Sequence, residues 1–136
     1  MTYFLAKTEP ATYSISQLLQ DEKTTWDGVK NAQALKTIRG MKPGDRVLIY
    51  HSGGESAVVG WAKVVSDPRP DPKDAKLAVI DLAFGGVLDP PTPLSEIKAS
   101  GLFADFALVR QSRLSTMEAP GHFIEWLRAR YPKTKF

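Results

Sequence analysis

The chain has 136 residues, 43% of them hydrophobic, no cysteine and a formal net charge of +3. That is enough apolar material for one core, which excludes global disorder, and the missing thiols exclude disulfides and cysteine metal sites. The pI of 9.2 admits a polyanionic partner without requiring one. One domain over residues 1–136 is expected, with the tail from about residue 132 frayed. Met1 to Lys7 has no basic leader and no long apolar run, and nothing approaches the ~20 apolar residues of a membrane span. The expectation is a soluble, cytoplasmic protein with no membrane contact.

In chain order, Tyr3 to Lys7 reads as a strand, ended by Thr8-Glu9-Pro10. Ser14-Ile15-Ser16-Gln17 has the form of a capping box: Ser14 caps and Gln17 reaches back, opening a short helix to about Glu22. Asn31 is placed to cap a second helix, with Leu35 and Ile38 inward and Gly40 at its end. Lys42 to Asp45 is a turn, and Arg46 to His51 a strand apolar enough to be buried on both faces. Ala57 to Val65 is another strand, in which Gly60 marks a bulge or a close approach. Asp67 to Pro72 reads as a proline-punctuated surface loop. Leu77 to Phe84 is a strand followed by Gly85-Gly86 and a loop at Asp89-Pro90-Pro91. Thr92 as cap and Pro93 in the first turn open a helix ending near Gly101. Phe106 to about Thr116 carries an irregular segment and a final strand. Pro120 to Tyr131 is the last helix, burying Phe123, Ile124, Leu127 and Tyr131. Strands and helices do not alternate regularly, which excludes a doubly wound parallel sheet and fits a small, mostly antiparallel barrel flanked by helices.

Little in the chain looks like chemistry except Trp26-Asp27-Gly28-Val29-Lys30-Asn31-Ala32-Gln33-Ala34. An aromatic plane, a glycine that lets backbone approach, and two amides beside a lysine suit a flat ligand with a polar edge. Lys30, Lys36, Arg39, Lys42 and Arg46 gather around this motif, which reads either as a phosphate-facing patch or as an ordinary solvated helix face. Arg110-Gln111-Ser112-Arg113, between Leu108-Val109 and Leu114, offers further donors for phosphate or a base edge; the alternative is an ion pair with Asp27 or Glu9. Trp61 and Trp126 read as structural, although Trp61 reaches a pocket if its strand face points that way. His51 and Ser52 follow an apolar strand. They support no Gly-x-Ser-x-Gly elbow, and a zinc site would need carboxylates. No metal and no cofactor are expected: Gly53-Gly54 lacks the Walker lysine, and no dinucleotide fingerprint is present.

Taken together, Phe4-Leu5-Ala6-Lys7-Thr8-Glu9-Pro10, Trp26-Asp27-Gly28-Val29-Lys30-Asn31, Gly44 to Ser52 and Leu108 to Ser115 resemble the EVE domain family, a branch of the PUA-like superfamily related to YTH domains. The resemblance runs from about Tyr3 to Leu127. It implies an α+β fold: a PUA-like, mixed but largely antiparallel β-barrel flanked by short helices. It also implies a reader, not a catalyst, whose pocket takes one base of RNA or DNA, methylated cytosine or adenine above all. The chain departs from the family pattern at Ala32 and Leu35, where an aromatic and an arginine are usual, at Leu77, where tryptophan is common, at Thr116, and in a shortened loop at Asp71-Pro72-Lys73-Asp74.

The pocket is accordingly expected to draw on Lys7, Thr8, Trp26, Gly28, Asn31, Gln33, His51, Ser52, Arg110, Gln111 and Ser112, with Lys30, Lys36, Arg39 and Arg113 on phosphates. Each has a plainer alternative: Trp26 in the core, Thr8 in a turn, Asn31 as a cap, Gln33 in solvent, His51 as a hydrogen-bonded structural residue. Two rival functions stand beside the reader. One is a small-molecule enzyme acting on a nucleotide or heterocycle, with Asp27 or His51 as general base. The other is a protein-interaction scaffold whose pocket is vestigial.

Overall fold

The computed structural model describes residues 1–136. In order, its elements are β1 (Tyr3–Thr8), α1 (Ile15–Asp21), β2 (Lys23–Trp26), α2 (Ala32–Arg39), β3 (Arg46–His51), β4 (Ala57–Val64), β5 (Arg69–Asp71), β6 (Asp74–Pro93), α3 (Leu94–Ala99), α4 (Ala107–Arg110), β7 (Thr116–Glu118) and α5 (Gly121–Ala129). All seven strands form one sheet in the order β2-β6-β4-β3-β1-β7, with β5 on β6. Only β1 and β3 run parallel. The architecture is the expected α+β one, with one difference. No pairing joins β2 to β7, so the barrel is loose and the sheet keeps two free edges. No helix is long and apolar enough to cross a membrane.

The central strands are the apolar ones. From Val47 to His51, β3 is buried at every position between β1 and β4, because neighbours cover both faces. Gly60 sits at a break in the β4 register, and a Cβ there would lie 2.5 Å from Ile15 Cδ1 and 2.7 Å from the Gly86 carbonyl. The missing side chain is what lets α1 rest on the sheet. Ser14 and Asn31 cap α1 and α2 as their spacing predicts, accepting from the Gln17 and Ala34 amides.

Several expectations need correcting. The Gln17 amide does not reach back; it donates forward to Asp21. The short, polar β2 had no reading as a strand. The proline stretch contains β5, which pairs with β6. Gly85-Gly86 and Asp89-Pro90-Pro91 do not end the strand, because β6 runs from Asp74 to Pro93, but its pairing with β4 shifts register at Gly85 and between Val87 and Thr92. A Cβ on Gly85 would lie 2.4 Å from the Trp61 ring, so these glycines answer to packing and not to a turn. Pro93, not Thr92, flanks α3; the buried Thr92 hydroxyl instead meets Tyr131 Oη at 2.6 Å and accepts from Arg130. Between Phe106 and Thr116 lies the short α4, and the last strand begins at Thr116 instead of ending there. The tail does not fray at its tip: Phe136 is buried against Trp61, and its carbonyl accepts from Arg128.

Candidate nucleic-acid interface

The free edges of the sheet matter because they face each other. A cleft of about 410 Å³ is lined on one side by Lys7 and Thr8 of β1 with Ser115 before β7, and on the other by Thr24, Thr25 and Trp26 of β2. Strands from opposite ends of the pairing order thus form its two walls. The turn Asp27 to Lys30, and Thr12 and Tyr13 of the β1–α1 loop, complete the lining. Gly28 takes φ +76° at that turn, and open space surrounds its α-carbon, so backbone and not side chain borders the opening.

Trp26 is buried but lines this cleft. Tyr13 meets it at 87°, ring centres 6.1 Å apart, so the two rings make a corner and not a stack. Three bonds hold Tyr13: its amide donates to the Glu9 carbonyl at 2.9 Å, its carbonyl accepts from Thr8 Oγ1 at 2.8 Å, and its hydroxyl donates to Asp21 at 2.9 Å. Burial pushes the phenol above its ordinary value, so it remains a neutral donor. Lys7 Nζ donates to the Ser112 carbonyl at 3.0 Å, and burial pushes its ammonium below the usual lysine range.

A second, polar groove of about 290 Å³ adjoins the cleft. Asn31, Gln33, Arg110, Gln111, Ser112 and Arg113 line it together with Leu114. It meets the cleft through chain continuity, at Lys30-Asn31 and at Leu114-Ser115. The Asn31 carboxamide oxygen is committed to the cap, which leaves its NH2 for other partners. Arg110 pairs with Asp105 at 3.7 Å, not with Asp27 or Glu9, and both partners are largely exposed.

The structure therefore divides the expected site residues. Lys7, Thr8, Trp26, Gly28 and Lys30 share the cleft, while Asn31, Gln33, Arg110, Gln111, Ser112 and Arg113 share the groove. Four others lie elsewhere. His51 is 5% exposed and lines neither. Its Nε2 accepts from the Ile15 amide at 3.0 Å, so the proton sits on Nδ1, which donates to Glu55 at 2.6 Å. It anchors the start of α1, and with both nitrogens engaged it is no general base. Ser52 lines a different hollow, together with Lys7. Arg39 turns away to donate to the Lys76 carbonyl at 2.8 Å. Lys36 is exposed on α2 and lines neither the cleft nor the groove. Trp61 does not reach the cleft either.

Sequence reasoning missed Thr12, Tyr13, Thr24 and Thr25. The one signal for the threonines was their place directly before Trp26, where a polar run reads as loop. No cluster of three or more His, Asp or Glu side chains that could hold a metal occurs in the molecule.

Comparison with known proteins gives this geometry a lineage. Thymocyte nuclear protein 1 of Mus musculus is 32% identical over 124 residues, covering 71% of this chain and 55% of its own. The chain spans about half the length of the curated relatives it matches. The solution structure of Rpa0253 from Rhodopseudomonas palustris superposes with a TM-score of 0.91 at 30% identity, covering 100% of this chain and 97% of that one. Human THYN1, crystallised in complex with DNA containing 5-methylcytosine, has the same fold: TM-score 0.88 at 23% identity, over 99% of this chain and 100% of that one. The model of the EVE domain matches residues 2–130, and the chain belongs to that family.

Proposed function

We propose that the protein binds DNA and reads a single base, single-stranded or flipped out, in the cleft beside Trp26, with a methylated base favoured. The observation that carries this reading is the corner of Trp26 and Tyr13 in an open cleft of about 410 Å³. That volume falls within the ~300–1,000 Å³ of small-ligand pockets. Extruding a base costs a few kcal/mol, and stacking on one aromatic returns roughly 1–3 kcal/mol. Polar contacts must supply the rest, from the cleft threonines and from the amides and arginines of the adjoining groove. DNA is favoured over RNA because human THYN1 binds 5-methylcytosine-containing DNA in its crystal structure. We place the protein with its nucleic acid in the cytoplasm.

One buried methyl is worth ~0.8 kcal/mol, so methylation should raise affinity only about fourfold. The test is fluorescence anisotropy at fixed low salt, with DNA oligonucleotides identical except for cytosine or 5-methylcytosine at one position. Trp26→Ala should weaken binding to the methylated strand by about tenfold or more. Equal binding by wild type and variant, or no binding by wild type, would sink the reading.

A further inference from the structure

Lys7 also lines a second, smaller hollow of about 180 Å³ that Trp26 does not line. Its polar lining includes Lys7 and Tyr50, at paired positions of β1 and β3, Ser52, Gly53 and Ser56 in the turn after β3, and Lys98 on α3. No carboxylate lines it. The ion pairs of the molecule involve neither lysine. Lys7 is half-buried, with one carbonyl and the face of Tyr50, 5.7 Å away, as its neighbours. The amides of Gly53, Gly54, Glu55 and Ser56 donate to no protein group. Burial also pushes the Tyr50 phenol up, so it stays a neutral hydroxyl.

A half-buried ammonium without a counter-charge is unfavourable, and here a second lysine lines the same hollow, with Gly53 and Ser56, whose amides are free. Leu94, Leu108 and Val109 complete the lining, and its polar side, with two ammonium groups and no carboxylate, favours an anion. Its volume is below the ~300 Å³ at which small-molecule pockets begin, so the occupant is a compact group and not a second base. We propose that this hollow is a phosphate subsite, which takes the phosphodiester next to the base held in the Trp26 cleft. Lys98 and the Gly53–Ser56 turn are its dedicated donors, while Lys7 lines both cleft and subsite. The ownership of that phosphate rests on the base-reading function; the anion chemistry does not.

Two measurements separate the claims. In the first, inorganic phosphate is titrated into isotopically labelled protein and the amide resonances of Gly53 to Ser56 are followed. Saturable shifts are expected in wild type, with affinity reduced about fivefold or more in Lys98→Ala, whose side chain is exposed and whose loss leaves the core untouched. Absence of shifts at this turn, or identical titrations in both proteins, overturns the subsite. In the second, a trideoxynucleotide with central 5-methylcytosine is compared with the same molecule carrying uncharged methylphosphonate linkages. Neutral linkages should weaken wild-type binding about tenfold and Lys98→Ala binding only about twofold. Equal losses in the two proteins overturn the phosphodiester as occupant. Shifts with phosphate but no binding of either trinucleotide would leave the anion site standing and remove the base-reading function.

Discussion

Trp26 and Trp61 are 8% and 6% exposed, nearly the same, yet they sit in opposite surroundings. Trp61 lies in the middle of the sheet, on β4. Gly85 and Gly86 of β6 lie against its ring and Phe136 packs 6.4 Å away, while its indole N–H is left without an acceptor. Trp26 ends an edge strand, and one side of it opens on the cleft. Exposure does not tell the two apart; position in the strand order does. A closed part of the sheet turns an indole into filler, and an open part turns it into a wall.

The contrast can be broken by substitution. Trp61→Ala should cost about 3–5 kcal/mol of stability in urea denaturation, the range for emptying a packed aromatic site. Trp26→Ala should cost clearly less and keep a cooperative transition, its main loss being in binding. Equal stability losses would erase the distinction. Gly85→Ala should come next, at about 1–3 kcal/mol, because the new methyl meets three Trp61 ring atoms at 2.4 to 2.7 Å. The same denaturation would show whether β6 can yield.

The smallest effect concerns the cleft wall. Asp81 on β6 accepts from Thr25 of β2 at 2.8 Å and from Arg69 of β5 at 3.0 Å. The Arg69 hydrogen bond, more than any other influence, holds its carboxyl below the ordinary 3.8. A carboxyl depressed in the folded state adds stability above its unfolded value and loses it as pH falls through the folded one. Because the pair is surface-exposed, the loss should not exceed ~1 kcal/mol. Asp81→Asn should therefore flatten the acid side of the stability profile, measured from about pH 5 down to about pH 2. An unchanged profile would show that Asp81 is not what ties β2 in place.

The comparison also explains what could be read from the chain. The strands β1, β3 and β4 were legible because burial on both faces leaves apolar runs. The helices α1 and α2 were legible because Ser14 and Asn31 are local signals acting within one turn. Gly85-Gly86 and the prolines near Asp89 misled because glycine serves both turns and close packing, and only the position of Trp61 decides between them. At the site, Trp26, Gly28 and Lys30 were readable as one contiguous motif. Tyr13 was not, since it reaches Trp26 through the path of the β1–α1 loop, which no periodicity encodes. His51 misled for the opposite reason: its residue type invites chemistry, while its partners, the Ile15 amide and Glu55, are structural.

Gly60 links these two regions. The space above its bare α-carbon is filled by Ile15, and Ile15 stands two residues beyond Tyr13. A bulkier residue on β4 would lift the start of α1 and carry the tyrosine with it. The aperture at Trp26 is thus set partly from a strand that does not line it, and a relative with a side chain at that position would need a differently seated first helix to keep the same gap.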